Sequence, residues 1–252
     1  MAPLGKIKSS TLQEQVYLKL KNAIFDGHFF PGDPVTIRFV ADQLGTSVMP
    51  VRYAIQRLIT ETALEVLPNR TVRFPLLSWA QFEELVELRA LLDVYALEKA
   101  FSGLSEEVLV ELALFDRRFD DAVEKKRGRQ ACEANRKFHF MLYSRARSDM
   151  LFNTVERVWM RSSPAMVRGY QMLFDNGQEE LIKGPGHSEL INAIRGQNLC
   201  MAGKIIRDDA MRILYWIKPF ENEIFQQPNT GDGHHRRTDQ NETPDHQSQY
   251  FA

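Results

Sequence analysis

Cysteine is scarce in this chain, net charge is almost absent, and long apolar runs do not occur. The two cysteines among 252 residues, Cys132 and Cys200, have no short spacing between them. That excludes a disulfide framework and a cysteine-based zinc site, and it suits a reducing compartment. The 32 Lys and Arg against 33 Asp and Glu leave a formal charge of −1, which argues against a globally basic nucleic-acid coat. The N-terminal MAPLGKIKSSTLQEQ has no apolar core of signal-peptide length, and nothing elsewhere approaches the ~18 apolar residues that cross a bilayer. The expectation is a cytoplasmic protein without membrane contact, long enough for one large domain or two ordinary ones.

The balanced charge hides an asymmetry. Residues 1–76 carry nine Lys or Arg against six Asp or Glu, so the first third is about +3 and the remainder about −4. A mildly basic head on an acidic body suits a chain that meets phosphates at one end only.

Patterning divides the chain in the same place. LQEQVYLKLKNAIFDG repeats apolar residues at helical spacing and stops at Gly27. FFPGDP is a turn, and TIRFVADQLG is a short helix with Thr36 as cap and Gly45 as stop. Ser47 can cap the next helix, whose first turn tolerates Pro50. ALEVLPNRTVRFP reads as two short strands with Arg70 near the tip. Three helices and a hairpin make a winged helix-turn-helix over 1–76. Residues 77–225 read as an all-α domain of six helices, and 226–252 as a disordered polar tail.

The segment GTSVMPVRYAIQRL settles which side of the third helix faces outward. Val51, Ala54, Ile55 and Leu58 form its buried stripe, so Val48, Met49, Arg52, Tyr53 and Gln56 project outward with Ser47 at the start. In a helix-turn-helix such a face enters the major groove of duplex DNA. Arg52 can offer a bidentate fork to guanine, Gln56 can pair with adenine, and Val48 or Met49 can touch a thymine methyl. Arg38 and Arg70 would make backbone or minor-groove contacts. The alternative is a solvated helix face.

The stretch from AIFDGHFFPGDP through GTSVMPVRYAIQRL to LPNRTVRF resembles the winged-helix domain of GntR-type bacterial transcription regulators. Through ELRALLDVYALEKA, NRKFHF and HSELINAIRGQN, the helical part resembles the FCD effector-binding domain of the FadR-like branch. The resemblance implies a homodimeric repressor or activator that binds a palindromic operator with an affinity set by a small effector. Val48-Met49 replace the family's usual Arg-Thr, Tyr53 its Glu, and Thr71 its wing glycine, which points to a different operator with Arg52 carrying most of the readout.

Three coordinating groups lie on apolar helix faces in the second domain: His139 with Asn135 four residues before it, His187, and Asp209. A buried carboxylate needs a partner, and a divalent cation such as Zn²⁺, Ni²⁺ or Mn²⁺ would supply one. The FCD metal set is an Asp and three His, which correspond here to Asn135, His139, His187 and Asp209. A metal-free pocket in which Asp209 pairs with a histidine is the alternative. An ion with open positions would take a small carboxylate effector. Arg89 matches the family's arginine at the start of the helical domain and is a candidate to hold that charge, or else it pairs with Asp93; Arg161 is a second candidate. Two further readings stay open: a metalloenzyme built on the two histidines and a carboxylate, and a helical interaction module with vestigial DNA binding.

Overall fold

The computed structural model describes residues 12–182 and 186–225, so the expected polar tail lies outside the described residues. The first helix, α1 (Leu12–Phe25), buries Val16, Tyr17, Leu20, Ala23 and Ile24. It ends at Gly27, where φ is 70° and a Cβ would meet the Val167 methyl groups at 2.4 Å. Backbone conformation and lack of space both require glycine there. Next come α2 (Ile37–Gln43) and α3 (Val48–Thr60), separated by Gly45 in the left-handed conformation. Thr36 and Ser47 occupy the cap positions in extended conformation, but neither side chain makes the capping bond expected of it. The first turn of α3 therefore keeps its N–H groups open to an external acceptor.

The wing is an antiparallel pair, β1 (Glu65–Val66) and β2 (Val72–Arg73), with Glu65 opposite Arg73 and Val66 opposite Val72. An Arg73–Glu65 ion pair at 2.7 Å ties the strands, and the Val35 N–H donates to the Val72 carbonyl. At the tip Arg70 takes a left-handed φ of 64°, and the Asn69 side chain accepts from the Thr71 N–H.

Ser78 opens the helical domain with a reciprocal capping box to Gln81. The domain comprises α4 (Trp79–Ala100), α5 (Glu106–Glu124), α6 (Gly128–Ser144), α7 (Asp149–Asp175), α8 (His187–Arg195) and α9 (Leu199–Ile217), the six expected helices. A seventh among the described residues, α10 (Glu221–Phe225), packs Phe225 against Phe82 and Trp79. With five residues it has too little period to be seen in a sequence. At 27 residues α7 is about 40 Å long and serves as the spine against which α4, α6 and α9 pack.

One apolar core runs without interruption from the winged helix into the helical domain, through Leu20, Phe25, Phe138, Leu142 and Trp159. The two parts are docked by α1 against α6 and α7. Phe25 meets Phe140 edge to face at 5.5 Å, Arg136 lies over the Phe25 ring and bonds Asp26 at 2.8 Å, and Lys21 pairs with Glu156. Helix α6 consequently has two working faces. Asn135 and His139 point inward, while Arg136 and Phe140 hold the winged helix.

Candidate nucleic-acid interface and metal centre

Burial on α3 follows the expected stripe: Val51, Ala54, Ile55 and Leu58 are at most 2% exposed. Ser47, Val48, Met49, Arg52, Tyr53 and Gln56 all lie on the solvent side, with Met49 63% exposed. Arg38 on α2 and Arg70 at the wing tip are exposed as well. Arg57, the other arginine of α3, has a structural job. It stacks on Tyr17 at 3.5 Å and pairs with Glu14 and Glu61, clamping α1 to α3. The face left for a groove thus carries a single guanidinium, that of Arg52, beside the amide of Gln56.

In the helical domain the fold gathers all four expected metal residues. Ligand atoms of His139, His187 and Asp209 lie within 4.8 Å of one another, and the His187 Nε2 is 3.0 Å from Asn135 Oδ1. The His139 Nδ1 lies 2.9 Å from the Tyr143 hydroxyl and the His187 Nδ1 lies 3.1 Å from Asp116 Oδ1. Each ring therefore commits one nitrogen to a supporting partner and directs the other into the cluster. The buried His139 Nε2 sits 3.3 Å from Asp209 Oδ2 but out of line for a hydrogen bond.

Burial pushes the His139 imidazole below its usual titration range, outweighing the opposing pull of Asp209. Burial alone would raise the Asp209 carboxyl, but His139, His187 and Arg89 overcome it and hold the group well below the ordinary carboxylate range. Imidazoles oriented by hydrogen-bonded partners, an ionised carboxylate and an amide oxygen suit a divalent ion. Asn135, His139, His187 and Asp209 would hold it, and it would supply a positive centre with room for an anionic ligand.

Beside the cluster lies a cavity of about 190 Å³ walled by Asn135, His187 and Asp209 together with Asp116, Arg212 and Trp216. Neither expected effector arginine lines it. Arg89 is 1% exposed, stacked on Trp159 at 3.6 Å and paired with Asp93 at 3.1 Å, because the turn of α4 that bears it packs against α7. Arg161 sits half-buried on α7, also away from the cavity. The sequence reading missed Asp116, although it continues the stripe of Val108, Leu109 and Leu112 and carries the same signal, a polar group on an apolar face, that exposed Asp209. It also missed Arg212 and Trp216, which follow Asp209 along one face of α9.

Residues 12–74 match the profile of the bacterial regulatory proteins of the gntR family, and residues 84–209 match the FCD domain. The HTH-type transcriptional regulator McbR of Escherichia coli is 31% identical over 173 residues, covering 69% of this chain and 78% of McbR. The chain belongs to the GntR family. Within it, the FCD domain places the protein with the FadR-like branch. The Nta operon transcriptional regulator of Aminobacter aminovorans is 29% identical over 131 residues, 52% of this chain and 62% of that protein. The solved structure of E. coli McbR/YncC superposes with a TM-score of 0.70 at 26% identity, covering 82% of this chain and 98% of its own. A GntR structure from Rhodococcus sp. RHA1 shares the fold with a TM-score of 0.62 at 20% identity, covering 84% and 96%. This GntR protein is a DNA-binding transcription regulator and not an enzyme; the relatives that carry functional names are transcriptional regulators. None of its described helices is long and apolar enough to cross a membrane.

Proposed function

We propose that this GntR regulator is a ligand-responsive repressor, acting in the cytoplasm as a homodimer on a palindromic operator. A small organic acid binds its helical domain beside a divalent metal, Zn²⁺, Ni²⁺ or Mn²⁺, held by Asn135, His139, His187 and Asp209. The convergence of those four groups on the wall of a cavity is the observation that carries this reading. Two α3 helices, one from each subunit, read successive major grooves, with Ser47, Val48, Met49, Arg52, Tyr53 and Gln56 facing the bases and Arg38 and Arg70 the backbone. Leu88, Leu91 and Tyr95 form an exposed apolar line along α4 that a second copy would cover. Arg89 does not meet the effector; its charge favours the ionised form of Asp209. Ligand binding shifts α6, and through Arg136 and Phe140 it shifts the winged helix, changing the spacing of the two recognition helices.

The test uses tag-free protein and its own upstream intergenic DNA. Specific binding with a steep salt slope, metal that co-purifies with the wild type and is lost in His139→Ala, and release of the operator by an organic acid are the expected results. Equal metal in both proteins ends the metal assignment. Weak, non-selective DNA binding ends the operator assignment.

A further inference from the structure

We infer that the cleft between the winged helix and the helical domain is a ligand site in its own right, for a small phosphate monoester with an aromatic or apolar body. It lies apart from the metal cluster, since none of Asn135, His139, His187 and Asp209 lines it. The inference therefore stands independently of the metal and effector reading.

The cleft measures about 490 Å³, within the ~300–1,000 Å³ typical of small-molecule sites. Its walls come from three parts of the chain. Phe30, in the turn after α1, supplies the winged-helix wall, held in place where Asp33 accepts from the Phe30 N–H at 2.8 Å. Lys126, Arg127 and Arg129, around the turn between α5 and α6, supply the second wall. Val167, Gln171 and Phe174 of α7 supply the third. Val167 is also the residue that crowds Gly27, so the cleft borders the contact that docks the two parts.

Its charge is one-sided. Lys126 is balanced by Glu179 at 3.0 Å, but Arg127 and Arg129 are exposed and make no hydrogen bond or ion pair among the described residues. Arg168 adds a third guanidinium, 5.6 Å from the centre of the Phe30 ring. Asp175 is the one carboxylate on the walls among the described residues. The positive field reaches its surroundings: after burial, the charge of Arg129 helps hold the His28 imidazole below its ordinary range. Guanidiniums gathered in this way repel one another, and a phosphate monoester, at about −1.5 to −2 near neutral pH, relieves more of that repulsion than a monocarboxylate does. Their forked donors also match phosphate oxygens. Phe30, Val167 and Phe174 offer apolar surface to the rest of the molecule. An occupant that touches Phe30 on one side and α6 and α7 on the other favours the docked arrangement over a displaced one, and so alters operator affinity.

The experiment is calorimetric titration of the full-length protein with phenyl phosphate and AMP, set against inorganic phosphate, phenol, adenosine and phthalate. At least one ester is expected to bind at least about tenfold more tightly than inorganic phosphate, phthalate and its own phosphate-free counterpart. The double variant Arg127→Gln with Arg129→Gln is expected to keep the wild-type melting temperature and to weaken that ester at least about tenfold. Phe30→Ala is expected to reduce the preference for the ester over inorganic phosphate, and His139→Ala to leave ester affinity unchanged. Saturating ester is expected to change operator affinity at least about fivefold in the wild type and not in the double variant. Esters that bind no better than inorganic phosphate or phthalate, undiminished affinity in the double variant, or loss of binding in His139→Ala each overturns the site. Ester binding with operator affinity unchanged overturns its regulatory role.

Discussion

Arg52 and Arg57 lie five residues apart on one helix and have opposite fates. Arg57 is consumed by Glu14, Glu61 and the Tyr17 ring, so its removal would loosen the winged helix itself. Arg52 is exposed and forms no ion pair among the described residues, so Arg52→Ala should leave the melting temperature unchanged and weaken specific operator binding by about 1–3 kcal/mol. A variant that shifts its operator as well as wild type in a mobility assay would remove Arg52 from the readout. His139 gives a second prediction. Unfolded, its imidazole takes up a proton near the ordinary 6.5; in the fold, burial, against the opposing pull of Asp209, allows this only at lower pH. The unfolded state therefore binds more protons once pH falls below about 6.5, and stability declines from there until the folded group also titrates. His28, lowered mainly by burial, adds in the same direction. In chelator, the melting temperature should fall between about pH 7.5 and about pH 5.5, with a shallower fall in His139→Gln. Equal slopes in the two proteins would contradict the lowering of His139 by burial.

Among the secondary-structure elements, the wing shows how local chemistry can stand in for a residue the family usually has. Sequence comparison put the missing glycine at Thr71, but the left-handed residue is Arg70, held there by the Asn69 side chain accepting from Thr71. A non-glycine residue in that conformation costs roughly 1–2 kcal/mol. Arg70→Gly should therefore raise thermal stability slightly while lowering affinity uniformly across operator sequences, with the salt slope shallower by about 1. An unchanged salt slope would show that the wing tip does not reach the backbone. The α3 stripe, the hairpin and the six main helices were readable because each repeats its own period over several turns or is bounded by Gly or Pro. Asn135, His139, His187 and Asp209 were readable because each breaks an apolar stripe. Two things were hidden for physical reasons: α10 is shorter than a period, and Arg89 looks identical in sequence whether it faces a cavity or packs on Trp159. The proposed ligand set has a simple logic. Exchanging the family's Asp for Asn135 and a His for Asp209 moves the carboxylate from α6 to α9 but keeps a single negative charge among the four groups.

For the molecule as a whole, the decisive feature is that the proposed sensing site and the docking contacts share one helix. Asn135 and His139 line the cluster from one side of α6, and Arg136, next in sequence to Asn135, reaches Asp26 of the winged helix at 2.8 Å. The continuous core and the crowded Gly27–Val167 contact leave little slack between the parts, so a shift of α6 is passed on rather than absorbed. Arg136 is thus expected to contribute to the coupling between ligand and operator more than to either binding event. Couplings of this kind are typically 1–3 kcal/mol, about 5–150-fold in operator affinity. In Arg136→Ala, metal content and operator affinity of the ligand-free protein should stay close to wild type, while the ligand-induced change in operator affinity shrinks by about 1 kcal/mol. The swapped pair Asp26→Arg with Arg136→Asp should recover part of it, since the contact is restored with its polarity reversed. Operator titrations with and without ligand on these proteins decide the matter. A full ligand response in Arg136→Ala would mean that the signal leaves the helical domain by another route, through α7 or across the dimer.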